Sequence, residues 1–255
     1  MIELNKIYNE DCLNGMQHID DKCVDLIICD LPYSITDCDW DKVIPFNELW
    51  KNYNRILKSN GVVLLFGIGK FFADIINSNR ENYRYGIVWK KTTAAGFLNA
   101  KKCPLRAHEN IAVFYKEFPT YNPQMTISNV PKRCVTAGYK EINGVYGRKD
   151  AVKKVWRDNG VRYPIDVIEF KKDVKGSGDN RVIHPTQKPV DLIRYLIRTY
   201  SNEGDIVLDN CMGSGTTAIA SIRENRNFIG FELDKKYYEA SLERISEECR
   251  QIKLF

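Results

Sequence analysis

A carboxylate, a proline and an aromatic ring follow one of the most apolar stretches of the chain. The stretch Val24–Cys29 has the sequence VDLIIC, and Asp30, Leu31, Pro32 and Tyr33 come directly after it. Asp and Pro commonly end strands, so a purely structural interpretation of this turn is available. The chemical interpretation is that open α/β sheets bind ligands at the carboxyl ends of their strands, where these side chains would contact a substrate.

A glycine loop near the other end of the chain is the second candidate site. In DIVLDNCMGSGTTAIA, a strand ends at Asp209, a loop contains Gly213 and Gly215, and a helix follows. Glycines let the backbone approach a ligand closely, and a helix start offers unpaired N–H groups. The spacing is neither that of a phosphate loop nor G-x-G-x-x-G, and a plain tight turn explains the glycines equally well. Glu232 ends the next strand at a position that suits a ribose, so the combination predicts a nucleoside cofactor site.

Length and hydropathy limit the class of protein. The chain has 255 residues, enough for one α/β domain with a small insertion. No apolar run reaches the ~18 residues of a membrane span, and the start, MIELNKIYNEDC, does not resemble a signal peptide. We therefore predict a cytoplasmic protein that does not contact membranes.

The cysteines and histidines do not suggest a metal centre. The eight cysteines contain no CxxC pair, and there are only three histidines, so neither a zinc site nor a disulfide framework is predicted. The cysteines are expected to be reduced thiols. His108 and Glu109 are adjacent before a predicted strand and resemble an acid–base pair, but we interpret them as structural.

Strands and helices alternate along most of the chain, which predicts an α/β fold with a doubly wound, mostly parallel sheet. The predicted strands are Lys6–Tyr8, Val24–Cys29, Val62–Phe66, Tyr85–Trp89, Asn110–Tyr115, Ile206–Asp209 and Phe228–Phe231. The predicted helices are Phe46–Lys58, Lys70–Asn79, Pro189–Tyr200, Thr216–Asn225 and Lys235–Gln251. The alternation is missing from residues 117–183, which we interpret as a small inserted region.

Positive charge is concentrated in that region. From Lys132 to Lys175 there are twelve basic and six acidic residues, and this excess exceeds the net charge of +5 for the whole chain. A basic run is usually only a solvated face. Here tyrosine, tryptophan and glycine are interleaved with the charges, which favours a nucleic-acid surface.

A third motif links the other two. The sequence HPTQKPVDLIRYLI begins at His184, and alone it would be a helix start with Pro189 in the first turn. Taken in order, DLPY, HPTQKP and DNCMGSGTT resemble the permuted beta class of DNA amino-methyltransferases, over most of the chain outside the insertion. The resemblance implies a circularly permuted Rossmann-like methyltransferase fold. Residues 1–116 would be its catalytic half, 117–183 its target-recognition region and 184–255 its cofactor-binding half.

The resemblance also implies that the cofactor is S-adenosyl-L-methionine. The turn at Glu10, Asp11 and Cys12 would meet the adenine ring, and Glu232 would hold the ribose. The remaining cofactor contacts that it implies are Asp30, His184, Thr186, Gln187, Lys188, Asp209, Asn210, Cys211, Gly213, Gly215 and Thr216. Asn210 and Cys211 stand where the family commonly has Pro-Phe, so an apolar contact to the cofactor is expected to be thinner.

By the same resemblance, DLPY is the catalytic turn. Asp30 and the backbone carbonyl of Leu31, which replaces the usual proline, would accept the two hydrogens of an adenine N6 amine. Pro32 would stiffen the turn, and Tyr33 would stack on a base flipped out of the duplex at a cost of a few kcal/mol. This chemistry needs no covalent enzyme intermediate, so no cysteine is predicted to act as a nucleophile.

Alternatives remain at this stage. N4-cytosine methylation uses the same fold, usually with serine leading the motif, so Asp30 favours adenine. The chain could instead be a non-catalytic protein, namely a DNA-binding regulator that retains a cofactor pocket. Double-stranded DNA is the predicted partner of a prokaryotic or phage-type, DNA-associated protein, while a second copy of the chain and a cognate restriction nuclease are partners that the sequence leaves open.

Overall fold

The structure is a computed structural model that describes residues 2–33, 43–128, 160–173 and 187–252. The strands are β1 (Lys6–Tyr8), β2 (Val24–Cys29), β3 (Leu57–Gly67), β4 (Tyr83–Ala95), β5 (Arg106–Phe114), β6 (Thr126–Ile127), β7 (Val161–Arg162), β8 (Val167–Phe170), β9 (Ile206–Asp209) and β10 (Asn227–Phe231). The α-helices are α1 (Cys12–Gly15), α2 (Phe46–Ile56), α3 (Gly69–Ser78), α4 (Val190–Tyr200), α5 (Thr216–Arg223) and α6 (Lys235–Ile252).

Eight of the strands within these ranges form one sheet in the order β1-β10-β9-β2-β3-β5-β4-β8. β5 runs antiparallel to both of its neighbours, and the other pairs are parallel. The predicted mostly parallel sheet is thus confirmed. The exception has a physical reason, because a parallel connection needs a crossover of a dozen or more residues. Between β4 and β5 the chain forms only a 3-10 turn, Phe97–Asn99.

Helices cover both faces of the sheet because the apolar residues of the central strands alternate between them. Ile27 and Leu65 pack with α2 and α3 on one face. Leu26 and Leu64 pack with α4 and α5 on the other. In α4 the apolar residues recur at helical spacing, and Val190, Leu192, Ile193, Leu196 and Ile197 are all buried. Because these strands are parallel, the carboxyl ends of β2, β9 and β10 lie at the same end of the sheet.

The region predicted as an insertion divides between two compact units. Residues Pro123–Ile165 form a unit of their own, in which β6 and β7 pair antiparallel and the Ser128 amide donates to the Gly160 carbonyl at 2.7 Å. β8 also lies in the predicted insertion, but it belongs to the larger unit and pairs with β4. The sequence pattern does not predict this strand. Within the described ranges, no helix has the length and apolar character needed to cross a membrane.

Candidate active site

A cavity of about 370 Å³ lies at the carboxyl ends of β2, β9 and β10. The predicted site residues that line it are Asp11, Cys12, Asp30, Pro32, Gln187, Lys188, Asp209, Asn210, Cys211, Gly213, Thr216 and Glu232. The structure therefore brings together residues that are up to about 220 positions apart in the sequence. His184 and Thr186 lie outside the described residues.

Asp209 organises the loop between β9 and α5. Its carboxylate accepts hydrogen bonds from the Cys211 amide at 3.0 Å and from the Thr217 hydroxyl at 2.5 Å. Burial raises the pKa of Asp209 to about 6, against an ordinary value of 3.8, although these two hydrogen bonds oppose the rise. The cavity therefore contains a carboxylate whose charged form would be favoured by a cationic ligand.

The two loop glycines have different surroundings. Gly213 lines the cavity with a φ of +54°. A Cβ there would have no neighbour closer than the Cys211 carbonyl oxygen, at 4.0 Å. Gly215 has a φ of +79°, and its Cβ would lie 3.1 Å from that of Ser241 in α6. Gly213 is thus the glycine that leaves room at the cavity, whereas Gly215 allows close packing of the loop against a helix.

Glu232 fastens this loop to the end of β10. Its two carboxylate oxygens accept the amides of Gly213 at 2.7 Å and Asp234 at 2.8 Å. Burial raises its pKa, and the backbone donors oppose that rise. Each carboxylate oxygen has further lone-pair capacity, so the side chain can also accept from a hydroxyl group of a ligand in the cavity.

Three thiols, those of Cys12, Cys29 and Cys211, and the amide of Asn210 line one side of the cavity. The Asn210 amide nitrogen lies 3.6 Å from the Cys12 sulfur and 3.5 Å from the Cys211 sulfur, and its oxygen accepts from the Tyr53 hydroxyl. Burial raises the pKa of Cys29, next to Cys211, to about 12. A thiol with that pKa is protonated at neutral pH, so these cysteines are poor nucleophiles.

On the N-terminal side of the cavity, Asp11 has a structural role. Its carboxylate caps α1 by accepting the amides of Leu13 at 2.9 Å and Asn14 at 3.2 Å. The backbone of this turn is thereby fixed at the cavity wall, and Glu10 and Cys12 line the wall beside it.

In the turn after β2, Asp30 and Tyr33 are in direct contact. The Tyr33 hydroxyl donates to one carboxylate oxygen of Asp30, and the Lys188 ammonium donates to the other. Leu31 is buried, which anchors the turn in the core, and the Tyr33 ring packs on Phe71 with centroids 4.7 Å apart. Burial, followed by the charge of Asp30, raises the pKa of Tyr33 well above its usual value.

Glu109 is close to this turn, although its place in the sequence favours a structural role. One of its carboxylate oxygens lies 3.3 Å from the Lys188 nitrogen, and the other contacts the Lys91 ammonium. The direction of β5 explains why Glu109 lies near the catalytic turn. Because that strand is antiparallel to β3, its first residues lie at the same edge as the carboxyl ends of the parallel strands. The lack of a crossover helix before β5 was the available signal.

The charge of the cavity indicates what it can bind. Five acidic residues line it against a single lysine, Lys188, among the described residues, and the acids are Glu10, Asp11, Asp30, Asp209 and Glu232. The walls also include Phe66, Ile193 and Phe231. Such a lining repels phosphate groups and suits a ligand with positive charge, a flat apolar portion and hydroxyl groups. In S-adenosylmethionine the sulfonium and the ammonium outweigh the carboxylate, so the net charge is positive, and the molecule also has an adenine and a ribose. The lining residues therefore fit it.

A second, more open pocket adjoins the first, since Val43 and Pro45 line both. Its volume is about 1030 Å³, and its walls include Tyr33, Phe71, Lys70 and Arg106. Aromatic rings with nearby cations are the groups that bind an unstacked base and its phosphates. The turn after β2 therefore presents Asp30 to one pocket and Tyr33 to the other.

Comparisons with known proteins agree with this geometry. A model of the N6 and N4 DNA methylase family matches residues 24–243. The type II methyltransferase M1.MboII of Moraxella bovis is 29% identical over 265 residues, which cover 93% of this chain and 95% of that protein.

Two solved structures have a fold similar to that of this chain. The M1.HpyAVI complex with SAM has a TM-score of 0.62 and 25% identity, covering 94% of this chain and 98% of that one. The cytosine-N4-specific PvuII DNA methyltransferase has a TM-score of 0.64 and 17% identity, covering 94% and 85%. The fold that the sequence motifs implied is thereby confirmed.

Proposed function

This chain belongs to the N6 and N4 DNA methylase family, and from that premise we propose that it methylates the N6 amine of adenine at specific sites in duplex DNA. The methyl donor is S-adenosyl-L-methionine. One observation carries the proposal: a single turn presents the Asp30 carboxylate to an acidic cavity and the Tyr33 ring to the adjoining aromatic pocket.

The acidic cavity holds the cofactor in this proposal. Glu232 would accept from the ribose hydroxyls, the turn at Asp11 and Cys12 would meet the adenine ring, and Asp209 would face the methionine end. Gln187, which lines the cavity, is a further proposed contact at that end. When bound, the cofactor supplies an electrophilic methyl group on a sulfonium.

Asp30 and the Leu31 carbonyl make the target amine a nucleophile. The lone pair of an adenine amine is delocalised into the ring, and two acceptors for its hydrogens favour a tetrahedral nitrogen with the lone pair free. Buried Leu31 and rigid Pro32 hold these acceptors in place before the substrate arrives. The catalytic contribution of the chain is thus positioning and electrostatic stabilisation.

The open pocket receives the flipped base. Tyr33 would stack on it, and Lys70 and Arg106 would neutralise the adjoining phosphates. Site selection is assigned to the region of residues 117–183, whose basic and aromatic composition suits DNA. Most of its basic residues, including Lys153, Lys154 and Arg157, lie outside the described residues.

Adenine is proposed over cytosine because an acid leads the DLPY motif. The N4-cytosine alternative has support in the fold, which the chain shares with the PvuII enzyme. The name of M1.MboII as a type II methyltransferase supports a role beside a restriction nuclease.

The test is methylation of unmodified genomic DNA with isotope-labelled S-adenosylmethionine, followed by digestion and mass spectrometry of the nucleosides. Labelled N6-methyladenine is the expected product. N4-methylcytosine would overturn the base assignment, and the absence of any labelled nucleoside would overturn the activity. Asp30→Ala is the matched negative control, and sequencing of the modified positions gives the recognition site.

A further inference from the structure

Four side chains of alternating charge form a continuous row from β4 to the catalytic turn. Lys91 contacts Glu109, Glu109 lies 3.3 Å from Lys188, and Lys188 contacts Asp30. The side chains of Lys91, Glu109 and Lys188 are 5%, 14% and 9% exposed, whereas that of Asp30 is 25% exposed. Asp30, the last member of the row, is therefore the most exposed of the four.

Two strands and the start of a helix position this row. Lys91 is on β4, Glu109 is on β5 opposite Trp89, and Lys188 immediately precedes Pro189 and α4. The Lys188 ammonium lies 5.2 Å from the centroid of the Phe66 ring, which supports it from below by a cation–π contact. Lys188 can therefore reach two carboxylates from one fixed backbone position.

The two carboxylates differ in their free capacity. Both oxygens of Asp30 are engaged, one by the Tyr33 hydroxyl and one by Lys188. In Glu109, one oxygen is taken by Lys91, while the buried Oε2 atom is ion-paired with Lys188 at 3.3 Å but accepts no hydrogen bond among the described residues. The Asp30 carboxylate, which the proposed mechanism needs, is therefore occupied by Lys188. The Glu109 carboxylate beside that lysine can still accept a hydrogen bond.

We propose that Lys188 is a positioning residue that moves from Asp30 to Glu109 when the substrate amine binds. The inference rests on the proposed function, since it concerns the Asp30 oxygen that the amine would occupy. Before substrate binds, the ammonium keeps a partly buried carboxylate paired. When the amine donates to Asp30, the ammonium moves to the open oxygen of Glu109 and stays paired, so that no buried charge is left alone.

The charges around Lys188 are consistent with such a movable cation. Burial alone would lower its pKa, but Asp30 and Glu109 outweigh burial and raise it. Burial would raise the pKa of Glu109, but Lys188 and Lys91 hold it below the usual value. Burial lowers the pKa of Lys91, and the charge of Lys172 adds to that lowering, while Glu109 opposes it. Lys188 and Glu109 thus both remain charged at neutral pH.

The first experiment compares Glu109→Gln with the double variant Glu109→Gln/Lys188→Met. Without Glu109, Lys188 has no second carboxylate and stays on Asp30, so single-turnover methylation at saturating DNA should fall about 30-fold or more at pH 7. Removing the lysine as well should restore at least a third of the wild-type rate. A double variant no faster than Glu109→Gln would overturn the proposal.

The pH profile gives an independent readout. Loss of the Glu109 charge lowers the pKa of Lys188. Once the Lys188 side chain is deprotonated, it no longer competes with the substrate amine for Asp30. The Glu109→Gln rate should therefore rise between pH 7 and 9.5 relative to wild type. A constant ratio across that range contradicts the proposal, because a merely structural defect does not titrate.

Lys188→Arg and Lys188→Met keep the question answerable if Glu109→Gln fails to fold. Arginine keeps the charge but binds carboxylates through a fork that holds both oxygens, so it should release Asp30 poorly. We expect Lys188→Met to be at least fivefold faster than Lys188→Arg. The opposite order would show that positive charge alone matters and would overturn the movement.

Lys90→Gln is the matched control, because Lys90 neighbours Lys91 on β4 and the substitution breaks its exposed ion pair with Glu169 on β8. Its turnover at saturating DNA should equal that of wild type. Thermal unfolding and calorimetric titration with S-adenosylmethionine are run on every variant to separate folding and cofactor effects. If wild-type protein methylates no DNA, the proposed function fails. If it methylates and the double variant gives no rescue, only this inference fails.

Discussion

Replacing Asp209 by asparagine is predicted to stabilise the fold above pH 6 and to weaken cofactor binding. Asp209 is 5% exposed, and burial raises its pKa from 3.8 to about 6. An unfolded chain loses this proton near pH 3.8, whereas the folded chain keeps it until about pH 6. Between these values the folded state binds more protons, so its stability falls as the pH rises.

The magnitude follows from that interval. The penalty is absent below about pH 4 and complete above about pH 6, and an interval of about two pH units corresponds to about 3 kcal/mol. Asparagine cannot ionise and therefore avoids the penalty, but it replaces one of the two acceptor oxygens for Cys211 and Thr217, which costs about 1 kcal/mol. The expected net gain is about 2 kcal/mol at pH 8, or roughly 4–8 °C in Tm.

The assay is urea unfolding of wild type and Asp209→Asn at pH 4 and pH 8. Asp21→Asn is the control, since Asp21 is 71% exposed and should change stability by less than about 0.5 kcal/mol at either pH. If Asp209→Asn differs from wild type by the same amount at both pH values, the explanation by a buried, reluctantly ionised carboxyl is refuted. By calorimetry, wild-type affinity for S-adenosylmethionine should increase as the pH rises through about 6, and Asp209→Asn should lose that dependence.

Four further perturbations test the proposed site. Asp30→Ala should lower the methylation rate by about 10²–10³ in single-turnover assays while DNA binding, measured by fluorescence anisotropy, persists. Glu232→Gln should weaken S-adenosylmethionine binding about tenfold in calorimetric titration, and unchanged affinity would remove the ribose assignment. Gly215→Val should lower Tm by several degrees, because the positive φ and the contact with Ser241 oppose a side chain; an unaltered Tm would contradict the packing. Neutralising Lys153, Lys154 and Arg157 of the insertion should weaken DNA binding and reduce its salt dependence without affecting cofactor affinity. Wild-type DNA binding at every salt concentration would show that these charges are only solvated surface residues.

The sequence predicts the parts of the fold in which local pattern and burial agree. β1, β2 and β9 have the predicted bounds. β2 and β9 are short, largely apolar runs between polar residues. β3 and α2 differ more, since α2 ends at Ile56 and β3 begins at Leu57 with no loop between them. The pattern does not reveal β8 because the strand has only four residues, at an edge of the sheet and inside a charged segment.

For the candidate site, motifs predict which loops meet but not how their side chains pair. The contact between Lys188 and Asp30 spans 158 positions, and no local periodicity encodes it. Glu109 was missed because strand direction is a property of the whole sheet. The expectation that both loop glycines leave room for a ligand was also too simple, because a Cβ on Gly215 would meet a helix and not the cavity.

The pairing of β2 with β9 has a consequence for how the chain folds. β2 is synthesised about 180 residues before the strand that covers one of its edges, and the same edge lies at the centre of the finished sheet. Until β9 and β10 emerge from the ribosome, this largely apolar strand of the nascent chain has an open side available for incorrect pairing. Folding of the sheet should therefore be slow and largely post-translational, because non-local pairing requires closure of a long loop. A chain truncated before Ile206 is expected to aggregate rather than persist as a folded N-terminal half.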